Sequence, residues 1–110
     1  MKKRISIKTK SNIYFVDPGD IVYCQCNYAA TTIYLKTDDP ITISRGIKEV
    51  EALFDDSDFI RPHQSYLVNR NHITLIETVN NYHLILSNQA RIPVSTRRRK
   101  AMLDRIKFGI

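Results

Sequence analysis

The sequence predicts a mainly β protein of small antiparallel sheets of short strands, with a short helix over about 45–54 and a C-terminal helix over about 96–107. Apolar, β-branched and aromatic residues occur in short runs that are separated by turn-forming residues. The apolar spacing changes to the helical period in two places. The length of 110 residues fits one hydrophobic core, so we expect a single domain over residues 1–110.

The N-terminal half begins with strand-like runs rich in Ile and aromatic residues. Residues 5–8 and 13–16 flank a polar turn and therefore predict a hairpin. Residues 17–20, with Pro and Gly at their centre, predict the next turn. Further elements are expected as strands over 21–26, 31–36 and 41–43, a loop over 27–30 and a turn over 37–40.

The first helix is predicted where the apolar period changes. Ile47, Val50, Leu53 and Phe54 lie at helical spacing, with charged residues on the opposite side. Ser44 is suited to accept a backbone N–H as the N-cap. Residues 55–58 are acidic but lack the glycine and the later Glu of a calcium loop, so we expect a solvated loop.

The C-terminal half continues as strands and closes with the second helix. Asn80 and Asn81 tolerate the positive φ of a tight hairpin, and Pro93 predicts an edge strand or a strand end. Ser95 is suited to cap the closing helix. The strands are expected over 72–78, 82–87 and 90–94, and the apolar positions of the helix are Met102, Leu103 and Ile106.

The charge is distributed unevenly along the chain. Residues 1–58 hold 8 Lys and Arg against 9 Asp and Glu, a net charge of −1. Residues 59–110 hold 9 Lys and Arg against 2 acids, a net charge of +7. The second half is therefore where nucleic acid, an acidic protein or anionic lipid would bind.

The same composition argues against several other classes. Cys24 and Cys26 are two apart on a strand, with Cα atoms about 6.6 Å apart, at the limit of disulfide geometry. With His63, His72 and His83 they match no familiar zinc spacing, so we expect no metal and no cofactor. The basic half holds only two carboxylates and the chain has no Gly-rich loop, so we expect that the protein is not an enzyme. No apolar run is long enough for a membrane span or a signal core, so we expect a cytoplasmic protein.

A basic run occupies the start of the last predicted helix. Residues 96–100 read T-R-R-R-K, and the helix dipole disfavours cations at this end. A solvated basic face is one interpretation. Phosphate binding by Arg side chains and free helix N–H groups is the other, and it would relieve the electrostatic conflict.

Residues 59–73 mix apolar pairs with many hydrogen-bonding side chains. They read F-I-R-x-H-x-S-Y-L-V-N with Ile73 following, which resembles the signature F-x-R-x-H-x-S-x-x-V-N, then Ile, of the LytTR family of bacterial DNA-binding domains. Further matching parts follow in order: D-I-V-Y leading to N-Y at 20–28, S-R at 44–45 and I-P-V-S at 92–95. The resemblance covers about residues 5–107.

The resemblance implies a LytTR-like fold and sequence-specific binding of double-stranded DNA by loops in the major groove. It implies a bacterial transcription regulator, the output domain of a response regulator in a two-component system. The loops carried over are 27–31, 63–65 and 95–97. It also implies tandem or imperfect direct repeats in the DNA and possible dimerisation there. A receiver domain usually precedes such domains, and none fits within this chain.

The resemblance and the side-chain chemistry together give candidate contacts. Gln64 is suited to adenine and Arg97 to guanine, and the choice between Thr96 and Arg97 stays open. Arg61 and Asn69 are expected to support the structure, Arg61 by pairing with an acid and Asn69 by bonding the following turn. The expected base contacts are Gln64, Arg97, Thr96, Asn27 and Tyr28, and the expected phosphate contacts are His63, Ser65, Arg70, Thr31, Ser95, Arg98, Arg99 and Lys100. The alternative is a small basic β-rich interaction module that binds RNA or an acidic protein.

Overall fold

The computed structural model describes residues 4–54 and 58–106. The elements in chain order are β1 (Ile5–Lys8), β2 (Ile13–Val16), β3 (Ile21–Asn27), β4 (Ala30–Leu35), β5 (Ile41–Ile43), α1 (Ile47–Phe54), β6 (Phe59–His63), β7 (Tyr66–Asn69), β8 (Ile73–Glu77), β9 (His83–Leu86), β10 (Arg91–Pro93) and α2 (Thr96–Asp104). Single 3₁₀ turns precede β3 and β8, at Pro18–Asp20 and Arg70–His72.

The strands form three antiparallel sheets, which confirms the predicted fold class. The central sheet has the order β5-β4-β3-β7-β6. A two-stranded sheet pairs β1 with β2, and a three-stranded sheet has the order β10-β9-β8. Pro93 therefore lies on an edge strand, as predicted, where its missing N–H breaks no ladder.

The central sheet separates two hydrophobic cores. Side chains that alternate along a strand point to opposite faces, so β3, β6 and β7 contribute to both cores, whereas β4 and β5 contribute to the first. The first core lies towards α1 and the β1–β2 hairpin, and the second lies towards β8–β10 and α2. The first contains Ile21, Cys24, Ile33, Val50, Phe59 and Leu67, among others. The second contains Val22, Ile60, Val68, Leu84, Ile92 and Met102, among others.

The two helices are present, but their bounds differ from the predictions. The first begins at Ile47, and the Val50 N–H bonds to the Gly46 carbonyl, so Ser44 lies too far upstream to be its cap. The last helix ends at Asp104 rather than about 107, and residue 107 lies outside the described residues. Ser95 caps it as predicted, because its Oγ accepts from the Arg98 N–H at 3.3 Å. The predicted acidic loop at 55–58 lies outside the described residues except for Asp58.

The turns follow the predicted chemistry in one place and differ in another. Asn80 and Asn81 adopt φ of 56° and 76° between β8 and β9, as predicted. The predicted loop over 27–30 is wrong, because Asn27 pairs with Ala30 and leaves only a two-residue turn. Tyr28 begins that turn with φ of 59°.

The two cysteines are free thiols, and burial raises the pKa of the Cys24 thiol. Within the described parts of the chain, no helix has the length and apolar character that a membrane crossing requires.

Candidate nucleic-acid interface

Three segments that the sequence singled out lie side by side, and we call them the three turns. They are residues 27–31 at the β3–β4 turn, residues 63–65 at the β6–β7 turn, and residues 95–97 at the start of α2. The Cys26 N–H donates to the Ser65 carbonyl at 2.8 Å and joins the β3–β4 hairpin to the β6–β7 turn. The Ser95 N–H donates to the Pro62 carbonyl at 2.9 Å and joins the start of α2 to β6. The β6–β7 turn therefore lies between the other two segments, which are bonded to Ser65 of the turn and to Pro62 of β6.

The β6–β7 turn presents Gln64 from a backbone that is held from behind. Arg61 donates through Nη2 to the Gln64 carbonyl at 2.8 Å and through Nη1 to Glu51 on α1 at 3.3 Å. The His63 Nδ1 accepts from the Ser65 N–H at 3.1 Å. The Arg61 side chain is only 13% exposed, whereas Gln64 is exposed. The predicted pairing of Arg61 with an acid is confirmed.

Asn69 supports the other end of β7. Its Oδ1 accepts from the Asn71 N–H at 3.0 Å and its Nδ2 donates to the Ile21 carbonyl at 3.0 Å. It is almost fully buried, and a buried amide needs such partners. The prediction that Asn69 bonds the following turn is confirmed.

The β3–β4 turn is more exposed and less closely held. Tyr28 is 96% exposed, and its carbonyl accepts from the Cys26 thiol at 3.0 Å. Asn27 is also exposed. Thr31 is fully buried and donates its hydroxyl to the Arg45 carbonyl at 2.7 Å. No surface of the Thr31 side chain faces solvent, so we leave Thr31 out of the proposed phosphate contacts.

The start of α2 carries the exposed polar side chains of the third segment. Thr96 and Arg97 are exposed, and Ser95 is half-buried beside them. Lys100 is exposed and lies 3.5 Å from Asp104. That ion pair contributes little to the stability of the fold, because both side chains are well solvated.

The basic run does not form a single face. Arg98 is half-buried and lines a shallow depression with Ile60 and Met102. Arg99 places its guanidinium carbon 4.2 Å from the centroid of the Tyr82 ring. No sequence pattern pointed to Tyr82, since this contact joins residues of different elements.

Arg70 serves the fold rather than the surface. Its Nη1 donates to the Arg105 carbonyl at the end of α2 at 2.8 Å, and its Nη2 lies 3.5 Å from Asp58. The guanidinium that was expected to hold a phosphate is thus engaged with protein groups. We leave Arg70 out of the candidate contacts.

A depression of about 460 Å³ lies between the first two turns. Tyr28, Lys48, Arg61, Gln64 and Ser65 are among the residues that line it. Sequence reasoning did not single out Lys48, because it belongs to the charged side of an ordinary amphipathic helix. Over residues 4–54 and 58–106, no cluster of three His, Cys, Asp or Glu could hold a metal ion.

Aromatic rings behind the middle turn are packed rather than presented. Tyr23 stacks on Tyr34 with centroids 4.5 Å apart, and Tyr66 meets the edge of His63 at 5.5 Å. Burial and the neighbouring tyrosines raise the pKa of Tyr23 to about 12. Single-strand binders use exposed aromatic platforms, and the exposed ring in these three segments is that of Tyr28.

The chain is similar in sequence to a known family and to two of the proteins described below. The family model described as LytTr DNA-binding domain matches residues 11–107. Sensory transduction protein LytT of Bacillus subtilis is 34% identical over 95 residues, which cover 84% of this chain and 39% of that protein. Sensory transduction protein LytR of Staphylococcus saprophyticus is 33% identical over 95 residues, 84% of this chain and 37% of that protein. The chain thus spans about two fifths of the length of these relatives.

A solved structure is similar over nearly the whole chain. It is described as the LytTr DNA-binding domain of a methyl-accepting/DNA response regulator from Bacillus cereus. The TM-score is 0.80 at 26% identity, and the match covers 98% of this chain and 100% of that one.

Proposed function

The chain belongs to the LytTR family of DNA-binding domains of response-regulator transcription regulators, and from this premise we propose that it binds double-stranded DNA sequence-specifically. The observation that carries the proposal is the row of three adjacent turns, joined by the Cys26–Ser65 and Ser95–Pro62 backbone hydrogen bonds. Side chains from such a row can enter successive parts of a major groove while the backbone between them stays fixed.

Gln64 is the proposed central base contact. Its amide can accept from N6 and donate to N7 of adenine, a bidentate pair that the major groove presents. Arg61 holds the Gln64 carbonyl from the protein side, so the backbone of the turn is ordered before DNA arrives. Preorganisation of this kind reduces the entropic cost of binding.

The outer turns supply the other proposed base contacts. Arg97 is exposed at the start of α2, where its guanidinium suits the O6 and N7 of guanine. Thr96 lies beside it and is the other candidate in that segment. Asn27 and Tyr28 are exposed at the β3–β4 turn, on the other side of Gln64 from Thr96 and Arg97.

Phosphate contacts are proposed from both flanks. His63 accepts through Nδ1, so its neutral ring carries the proton on Nε2, which can donate to a phosphate. The Ser65 hydroxyl lies in the same turn, and the Ser95 hydroxyl can still donate while its oxygen caps α2. Arg98 and Lys100 add charge to a half of the chain whose net charge is +7.

The same proposal extends to the whole protein. We expect tandem or imperfect direct repeats in the target and dimerisation on DNA, with input from a receiver domain or sensor kinase. Such input fits the sensory transduction proteins to which the chain is similar. We also expect that the protein is not an enzyme. We expect it to be cytoplasmic, because binding its target requires access to the chromosome.

Selection from a random duplex library, followed by binding titrations over a range of salt, tests the proposal. About six neutralised phosphates give a slope of log K against log salt near −5. Gln64→Ala is expected to cost about 1–3 kcal/mol at one base position and to leave the others unchanged. A slope near zero would contradict DNA binding.

Arg98→Ala provides the contrasting variant, with Arg91→Ala as its charge-matched control. Arg91 is paired with Glu77 at 3.0 Å on β10, outside the three turns. Arg98→Ala is expected to weaken binding to all duplexes alike and to lower the slope by about one, while Arg91→Ala changes little. If Gln64→Ala and Arg98→Ala gave the same uniform loss, the division into base and phosphate contacts would be wrong. Equal competition by heparin, RNA and the selected duplex would instead favour a charge-driven interaction module.

A further inference from the structure

The three consecutive arginines of α2 point in three directions. Successive residues of an α-helix are about 100° apart around the axis, so neighbours cannot share one surface. Arg97 is exposed, Arg98 faces β6, and Arg99 lies against Tyr82. The run that suggested a uniform phosphate-binding face is therefore divided, and Arg99 has a different environment from the others.

Arg99 is placed as a packing group. Its guanidinium carbon is 4.2 Å from the Tyr82 ring centroid, the distance of a stacked cation–π contact. Its Nε is buried and has no hydrogen-bond partner among the described residues. One of the five N–H donors of the Arg99 guanidinium, the one at Nε, is therefore shielded from solvent and from a phosphate.

Tyr82 holds the first turn of α2 from both sides. Its carbonyl accepts from the Val94 N–H at 3.0 Å, directly before the cap residue Ser95. Its ring lies under Arg99, four residues after that cap. The two contacts enclose Ser95, Thr96 and Arg97, the segment that carries the proposed C-terminal DNA contact.

We propose that Arg99 is a positioning residue, which fixes the Thr96–Arg97 segment for DNA by stacking on Tyr82 and does not itself neutralise a phosphate. The proposal rests on the proposed DNA-binding function and replaces the phosphate role expected for Arg99. It assigns to Tyr82, a residue outside the three turns, an indirect part in recognition.

Four variants of the full chain test this assignment on the selected duplex. Arg99→Gln removes the charge and the planar cation, Tyr82→Leu removes the ring face, Tyr82→Phe keeps that face, and the double variant combines the first two. Arg99→Gln and Tyr82→Leu are each expected to weaken specific binding about fivefold, with the salt slope unchanged. The double variant is expected to be no weaker than the weaker single variant, because both remove one contact. Tyr82→Phe is expected to bind like the unaltered chain.

Amide chemical shifts of Thr96 and Arg97 provide a readout that stability alone would not move. They are expected to change in Arg99→Gln and Tyr82→Leu and to stay in place in Tyr82→Phe, at a temperature where each variant is folded. If Tyr82→Leu does not fold, Arg99→Gln and Tyr82→Phe decide the question.

A fall of about one in the salt slope of Arg99→Gln, with Tyr82→Leu binding normally, would overturn the proposal and make Arg99 a phosphate contact. Additive losses in the double variant would also overturn it. Absence of any salt-dependent binding by the unaltered chain would refute the DNA-binding function instead. The chemical shifts would still report in that case whether Tyr82 fixes the helix start.

Discussion

The β6–β7 turn and the β3–β4 turn are neighbours, joined by the Cys26–Ser65 hydrogen bond, yet they are held in different ways. The β6–β7 turn has its Gln64 carbonyl bound by Arg61 and its Ser65 N–H bound by His63. The β3–β4 turn has a thiol contact to the Tyr28 carbonyl and a positive φ at Tyr28. One turn is braced by side chains from behind, and the other is a minimal hairpin with a large exposed ring.

The difference indicates that the two turns contribute to the proposed interface through different kinds of contact. A hydrogen-bonding amide such as that of Gln64 reads a base edge well only when its backbone is fixed within a fraction of an ångström. An aromatic ring tolerates variation, because stacking and van der Waals contact depend less on direction than hydrogen bonds do. We therefore expect that Gln64 makes a base contact of fixed geometry from the middle turn. We expect that Tyr28, in the neighbouring turn, makes a contact whose geometry adapts to the DNA.

The largest effect is expected from removing the Arg61 side chain, which holds the β6–β7 turn. Arg61→Ala deletes the charged hydrogen bond to the Gln64 carbonyl and leaves Glu51 without its partner. Hydrogen bonds to charged groups contribute about 1.5–3 kcal/mol each, and Glu51 is partly solvated, so we expect a stability loss of about 2–3 kcal/mol. Urea unfolding measures that loss. Specific DNA binding is expected to fall while non-specific binding persists.

Arg45→Ala is the matched control for this change. Arg45 lies before α1 and pairs with Glu49 of that helix at 2.7 Å, with 60% of the Arg45 side chain exposed. A solvated i, i+4 pair contributes only about 0.3–0.5 kcal/mol. Equal losses in Arg61→Ala and Arg45→Ala would show that Arg61 does not brace the turn.

The sequence predicted the fold class and the middle turn correctly for a local reason. Strand period, turn residues and caps are encoded within a few neighbouring positions, as Asn80, Asn81 and Ser95 illustrate. The pairing of Arg61 with an acid was also predictable, because a charged residue beside apolar strand residues needs a partner. The acid itself, Glu51 on another element, was not identified.

Sequence reasoning was least informative where tertiary contacts decide whether a side chain is available for binding. Thr31 is a polar residue at a turn, yet the central sheet and Arg45 enclose it. Arg70 reaches Arg105, which is 35 positions further along the chain. Arg99 contacts Tyr82, which lies 17 positions earlier in the chain. Composition shows that these residues are basic or polar, but only the packing shows whether their groups remain available.

A smaller loss is expected when the second hydrogen bond of the braced turn is removed. His63→Phe keeps a ring against Tyr66 but deletes the Nδ1 acceptor of the Ser65 N–H. The loss of one neutral hydrogen bond predicts about 1 kcal/mol of destabilisation in urea unfolding. His83→Phe is the control, since the His83 Nδ1 contact to Arg91 is long, at 3.4 Å, and exposed. A loss in His83→Phe as large as in His63→Phe would refute the role assigned to the acceptor.

The smallest effect is expected at the adaptable turn, and it has the opposite sign. Tyr28 adopts φ of 59°, a region that costs most non-glycine residues about 1–2 kcal/mol but that Asn tolerates better. Its ring is 96% exposed, so Tyr28→Asn removes little packing and is expected to raise stability by about 0.5–1 kcal/mol while weakening DNA binding. The reverse change, Asn80→Tyr at φ of 56° in the distant β8–β9 turn, is expected to lower stability by a similar amount and leave DNA binding unchanged. A stability loss in Tyr28→Asn would mean that the ring supports the fold, and the contrast between a braced turn and an adaptable one would not hold.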